Sequence, residues 1–187
     1  MTRLLSLLVF HLLLGSSLMT ADAQTSLSAE RTITVSLQTR VETAFSLFGP
    51  VEEQKWETDW HPSFLYQAGP PEHPTFAVMT TGEGDSQTTW VLSSYDLPRH
   101  YIQYVTIRPG HVLTLISIRC LDADGGNSRC EITYRRTALT PENNPAVEHF
   151  AQSFTSQGPH WEQVLNEYLR HAAKSTPTSS SQKPKGI

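Results

Sequence analysis

Residues 99–139 constrain the fold of this chain more than any other stretch. They read as three β-strands joined by two short turns, with both cysteines placed symmetrically about the second turn. The first turn is Arg108-Pro109-Gly110-His111. Proline presets φ at the second position of a type II turn, and glycine tolerates the positive φ of the third. With Pro109 and Gly110 as the corner, Arg108 sits opposite His111, so Ile107 faces Val112, Val105 faces Thr114 and Gln103 faces Ile116. The second turn lies within residues 122–127, and Cys120 and Cys130 are equidistant from Gly125. Placing them opposite each other sets Ile118 against Ile132, Ile116 against Tyr134 and Thr114 against Arg136.

Together the two registers give three rows on one sheet face: Tyr101–Ile118–Ile132, Gln103–Ile116–Tyr134 and Val105–Thr114–Arg136. Apolar walls with a few oriented polar groups are what a ligand cavity presents. Arg136 has the geometry to pair a carboxylate or phosphate bidentately; the alternative is a guanidinium at the strand end in solvent or on an internal carboxylate. Tyr134 is either a core residue with a satisfied hydroxyl or a ligand contact. The opposite face carries Ile102, Tyr104, Leu113 and Leu115 among more charged residues and is expected to meet solvent. If exposed, those four form a patch suited to a partner.

The chain opens with Arg3, an apolar run over residues 4–14 broken by Ser6 and His11, and a small-x-small site, Ala21-Asp22-Ala23. That is the pattern of a secretory signal peptide over residues 1–23, too short to span about 30 Å of hydrocarbon. The expected location is therefore periplasmic or secreted after cleavage near Ala23. Two cysteines across a hairpin of an exported chain should oxidise to a disulfide, the alternative being buried reduced thiols. Closing so short a loop stabilises by roughly 2–3 kcal/mol in the chain-entropy model. The formal net charge of −4 is unchanged by cleavage and argues against nucleic acid, which calls for a clustered basic face.

After a linker at residues 24–30, Ile33, Val35 and Leu37 alternate with Thr and Ser as in a half-buried strand. Thr39 and Glu42 suggest a capping box for a helix whose apolar face is Val41, Ala44, Phe45 and Phe48. Gly49-Pro50 stops it and starts a second short helix through about Lys55. Strands are expected over residues 75–80 and 87–95, flanking the turn Gly82-Glu-Gly-Asp85. From Pro145 the pattern turns helical. Val147, Phe154, Trp161 and Tyr168 keep a seven-residue step across Gly158-Pro159, which points to one kinked helix. Residues 174–187 have little to bury and read as a disordered tail.

A sheet with one apolar face and a long striped helix bury each other when the sheet curves around the helix. The element order, with Lys55-Trp56-x-x-x-Trp60-x-Pro62, Thr89-Trp90-Val91, Tyr95-Asp96, Tyr104-Val105 and Tyr134-Arg-Arg-Thr137-Ala-Leu139, resembles the SRPBCC superfamily over residues 31–173. That group is similar to START lipid-transfer domains, the birch-pollen-allergen fold and polyketide cyclase/dehydrase-like proteins. The resemblance implies an α+β helix-grip fold: a curved antiparallel sheet around a long C-terminal helix, two short helices after the first strand, and a cavity between sheet and helix. It leaves function open, because the superfamily holds transporters, enzymes and chaperone cofactors.

The candidate ligand-binding residues are Tyr101, Gln103, Thr114, Tyr134, Arg136, Phe154, Trp161 and Trp60. Phe154 and Trp161 lie on the helix stripe and are core or cavity wall, and Trp60 is cavity mouth or packing. No catalytic constellation stands out. The histidines take no metal-ligand spacing, no Gly-rich phosphate loop precedes a helix, and no G-x-S-x-G elbow occurs. His61 beside Asp59 would be a general base only if the pair entered a cavity. No cofactor and no metal are expected. The expected partner is a small hydrophobic or amphipathic molecule, lipid- or polyketide-like. The rivals are a cyclase/dehydratase-type enzyme using the same cavity and a protein-interaction module.

Overall fold

A computed structural model describes residues 25–175; the expected signal peptide and residues 176–187 of the expected tail lie outside the described residues. Seven antiparallel strands form one sheet in the order β1-β7-β6-β5-β4-β3-β2. The strands are β1 (Ser28–Leu37), β2 (Ser63–Ala68), β3 (Phe76–Thr81), β4 (Thr88–Asp96), β5 (Tyr101–Arg108), β6 (Val112–Ala123) and β7 (Asn127–Ala138). The helices are α1 (Val41–Ser46), α2 (Asn144–Ser153) and α3 (Gly158–Ser175).

β1 begins three residues before the expected Arg31, inside the expected linker. Its outer face pairs hydroxyl to hydroxyl with β7, Ser28 to Thr137 at 2.9 Å and Thr32 to Thr133 at 2.8 Å, the kind of cross-strand pair that stabilises a sheet. The expected capping box does not form: Arg40 is the N-cap of α1, without a side-chain cap. The helix is held instead by its apolar face, Val41, Ala44 and Phe45, all buried. The second short helix is a single 3-10 turn, Glu53–Lys55.

The C-terminal helical stretch is continuous and bent, as the seven-residue step implied. A 3-10 turn, Phe154–Gln157, links α2 to α3. Gly158 sits where the bend approaches β1 closely: an added Cβ would lie 3.5 Å from the Ile33 Cβ. α3 also seals the β1 edge. The Ser36 N–H donates to the Glu162 carboxylate at 2.8 Å, and the Gln38 N–H donates to Asn166 Oδ1 at 2.9 Å. Asn166 Nδ2 donates back to the Ser36 carbonyl at 2.8 Å. The core lies between the concave sheet face and the helices, with Val35, Ile132, Leu92, Phe45, Val147 and Leu165 fully buried.

The second hairpin has the expected register: Cys120 faces Cys130, Ile118 faces Ile132, Ile116 faces Tyr134 and Thr114 faces Arg136. Cys120 and Cys130 are joined in a disulfide. The first hairpin is displaced by one residue. Arg108 faces Val112, Thr106 faces Thr114, Tyr104 faces Ile116 and Ile102 faces Ile118. The type II turn itself is present, with Gly110 at φ +72° and the His111 N–H donating to the Arg108 carbonyl at 3.0 Å. A type II turn splays the strands it joins, whose right-handed twist favours primed turns. His111 is therefore left over as an extra residue, its carbonyl accepting from the Leu139 N–H at 2.8 Å.

One residue of slip moves every β5 side chain to the other face. Ile102 and Tyr104, expected in solvent, are 0% and 2% exposed. The expected outer patch of Ile102, Tyr104, Leu113 and Leu115 does not exist as a unit, because only the two leucines face outward, opposite Ile107 and Val105.

Candidate functional site

The corrected register defines the concave face row by row. One row runs Met79–Trp90–Thr106–Thr114–Arg136, flanked by Thr81–Thr88, Arg108–Val112–Ala138 on one side and Ala77–Leu92–Tyr104–Ile116–Tyr134 on the other. Where these rows approach the Arg108 turn, the sheet opens into a cavity of about 240 Å³. Thr88, Trp90, Thr106, Arg108, Val112, Thr114, Ile116, Tyr134 and Arg136 line it. Rings and branched aliphatics form the walls; two guanidiniums, three threonines and one phenol are the polar points.

Arg136 is half-buried on this face, and its guanidinium lies over the Phe150 ring of α2, 4.7 Å from the centroid. Its Nε donates to Thr114 Oγ1 at a long 3.4 Å. Among the described residues no carboxylate pairs with it. Burial lowers its pKa, opposed only in part by the neighbouring Tyr134. The cation–π contact with Phe150 returns about 0.5–2 kcal/mol against that partial loss of water. Tyr134 stands next to it, its ring stacked on Phe154 at 4.6 Å. The Tyr134 hydroxyl makes no hydrogen bond to a described residue, and burial followed by the nearby Glu53 charge pushes it well up.

Thr114, Tyr134 and Arg136, expected from sequence, thus come together. Phe154 stands behind them as a buried wall against Tyr134 and Phe150. Tyr101 and Gln103 do not join them. They lie on the outer face, where Gln103 Nε2 donates to the Tyr101 hydroxyl at 2.8 Å and Arg119 covers the Tyr101 ring. Trp161 packs edge-on to Trp56 at 6.1 Å, away from the cavity lining.

Trp60 is buried and does two things. It meets the cavity residue Trp90 edge-on at 4.8 Å, and its indole N–H donates to the Pro50 carbonyl at 2.8 Å. Two neighbours act in the same way: the Trp56 N–H donates to the Leu47 carbonyl at 2.7 Å and the Tyr104 hydroxyl to the Phe48 carbonyl at 2.8 Å. The carbonyls of Leu47, Phe48 and Pro50, in the turn that follows α1, are thereby satisfied by side-chain donors. This clamp holds the turn carrying Glu53 against the sheet.

Glu53 escaped the sequence reading altogether. Its backbone N–H donates to the Gly49 carbonyl at 2.9 Å, while no described group donates to its carboxyl. Burial, aided by the Glu57 charge, pushes its pKa up to about 8. It is near enough to Tyr104 and Tyr134 to raise both phenols. A carboxyl poised near neutrality has the protonation equilibrium that acid–base chemistry needs. His61 and Asp59, by contrast, are exposed. Trp90, Thr106 and Arg108 were also missed as site residues; the signal for them was the same face parity, applied with the corrected turn. Among the described residues no His, Cys, Asp and Glu cluster has the form of a metal site, and no helix is long and apolar enough to cross a membrane.

No family model matches the sequence, and no curated protein does. Solved structures do match. The Zhui aromatase/cyclase from Streptomyces sp. R1128 aligns over 82% of this chain and 100% of its own, at 14% identity and a TM-score of 0.56. Norcoclaurine synthase from Thalictrum flavum aligns over 93% and 99%, at 10% identity and a TM-score of 0.54. The protein XoxI from Bacillus cereus aligns over 77% and 98%, at 16% identity and a TM-score of 0.50. At such identities the likeness is one of architecture, and the chain has the helix-grip fold that its resemblance to the SRPBCC superfamily implies.

Proposed function

We propose that this is an exported protein that binds a small amphipathic molecule in the cavity that β4–β7 line on the concave sheet face. The observation that carries the reading is Arg136: a half-buried guanidinium, stacked on Phe150 and without an acidic partner among the described residues, at the wall of a ring-lined cavity. A bound polar end would take up the unused donors of Arg136 and the Tyr134 hydroxyl, and an apolar body would meet Trp90, Val112 and Ile116. The volume of about 240 Å³ lies below the usual range of about 300–1,000 Å³ and supports a compact ligand over a membrane-lipid tail. The disulfide supports an oxidising compartment, in keeping with the N-terminal signal pattern.

Native mass spectrometry of protein purified from its own host tests this. A co-purifying small-molecule adduct is expected, and it should be lost in Arg136→Ala, whose affinity for an anionic ligand falls by about 2 kcal/mol or more. Adduct-free protein that also fails to bind any amphipathic compound of this size would sink the reading.

Glu53 favours a second reading, acid–base catalysis of the cyclase/dehydratase type on the same bound molecule. Both matched enzymes with named activities, an aromatase/cyclase and norcoclaurine synthase, share the architecture. Here Glu53 and Tyr134, rather than His61, would exchange the proton. Turnover abolished by Glu53→Gln with binding retained distinguishes catalysis from carriage.

A further inference from the structure

Resting on the reading that the cavity holds a ligand, we propose that its ligand is a small flat oxyanion, an arene carboxylate in chemical class. Its charged group is held between the guanidiniums of Arg108 and Arg136, with the hydroxyls of Thr88, Thr106 and Thr114 around it.

The two arginines come from different strands and reach the same cavity. Arg108 follows Thr106 on the concave face of β5; Arg136 lies in the Thr106 row on β7, with Thr114 of β6 between them. Two strand spacings, about 9.6 Å, separate the β5 and β7 backbones there, a gap within the combined reach of two long guanidinium side chains. Arg108 is half-buried, and its Nε donates to the Asp85 backbone carbonyl at 3.1 Å. The Asp85 carboxylate makes no ion pair with it, nor does any other acid among the described residues. Two cations therefore share one cavity wall with no protein anion to offset them. An anion between them fills both forks at once.

The remaining lining says what the anion is attached to. Threonine hydroxyls donate to an oxyanion and present methyl groups to a ring edge. Trp90, Tyr134 and Ile116 offer flat and aliphatic surface. A cavity of about 240 Å³ takes one or two fused rings, since it corresponds to only about eight waters at about 30 Å³ each.

Isothermal titration with 2-naphthoate and its neutral counterpart 2-naphthylmethanol separates the two levels of the argument. Wild-type protein is expected to bind naphthoate at least about tenfold more tightly than the alcohol. Arg108→Met and Arg136→Met should each reduce that preference several-fold, and the double variant should abolish it while leaving the alcohol's affinity within about threefold. Arg136→Lys, which keeps the charge and loses the fork, should retain part of the preference and guards against a variant that fails to fold. Equal affinity for acid and alcohol overturns the oxyanion proposal and leaves the ligand-binding reading standing. A naphthoate preference that survives in the double variant overturns it too, by placing the charge elsewhere. Binding of neither probe up to millimolar concentration overturns the oxyanion proposal, and the ligand-binding reading is then decided by the adduct measurement.

Discussion

The guanidinium of Arg136 stacks on the ring of Phe150, joining β7 to α2 at the wall of the cavity. Phe150 also meets Phe154 at 5.1 Å and Tyr134 at 6.5 Å, so one ring orders both polar groups of the site. Phe150→Leu keeps an apolar plug and deletes the π face. It is expected to lower unfolding free energy by about 1–2 kcal/mol. In a urea-denaturation double-mutant cycle with Arg136→Met, the coupling should be about 0.5–1 kcal/mol. Zero coupling means that the stacking is geometry without energy.

The displaced register of β5 has a chemical signature. Thr106 and Thr114 are buried neighbours on the concave face, whereas Val105 faces outward opposite Leu115. With Cys120 and Cys130 replaced by serine, Thr106→Cys combined with Thr114→Cys is expected to cross-link on oxidation, and Val105→Cys combined with Thr114→Cys is not. Peptide mapping reads the outcome. The reverse result would restore the two-residue corner and return Gln103 to the cavity.

That slip shows where the sequence was legible and where it was not. The second hairpin could be read because the cysteines and Gly125 mark its centre. At the first, Pro109-Gly110 names the turn type correctly, but the misfit between a type II turn and strand twist is three-dimensional, and it turns His111 into an extra residue. β2 was invisible for a related reason. Phe64, Leu65 and Tyr66 are consecutive apolar residues without alternation, because the strand is bulged between Phe64 and Tyr66. Glu53 sits in Glu52-Glu53-Gln54-Lys55, which reads as a solvated run. It is half-buried in a turn whose preceding carbonyls are pinned by three side-chain donors, and nothing local encodes that.

Those donors give a third expectation. Tyr104→Phe keeps the ring against Trp90 and leaves the buried Phe48 carbonyl without its donor. The cost is expected to be about 1–3 kcal/mol, the range for a stranded buried acceptor. Amide exchange should accelerate selectively at Glu53 and Trp56, whose N–H groups bond within the clamped turn. A uniform acceleration would mean that the hydroxyl stabilises the whole fold and does not fix this turn.

The disulfide acts on a part of the sheet remote from the cavity lining. Replacing Cys120 and Cys130 together by serine is expected to destabilise by about 2–3 kcal/mol through the freed unfolded chain. Ligand affinity should stay within about twofold, because the registers of β5 and β6 are also held by the Arg108 turn and eight paired positions. Intact mass after alkylation under denaturing, non-reducing conditions should show no labelled thiol.

Glu53 ties stability to pH in a direction opposite to most carboxylates. Its folded pKa, about 8, lies above the ordinary value of 4.5, so the folded state holds a proton that the unfolded chain has released. Its contribution is fully present below pH 4.5 and is lost as pH rises through 8. In that window the slope is at most about 1.4 kcal/mol per pH unit. Glu53→Gln keeps the shape and removes the titration, so its unfolding free energy should fall less steeply between pH 5 and 8, its advantage over wild type growing through that window and levelling off above pH 8. Parallel curves for the two proteins would put the Glu53 carboxyl in water and withdraw it from the acid–base reading. If the curves diverge as expected, any turnover found should show a basic limb near the same pH. In the acid–base reading protonated Glu53 is then the acid and Arg136 the group that holds the substrate's charge.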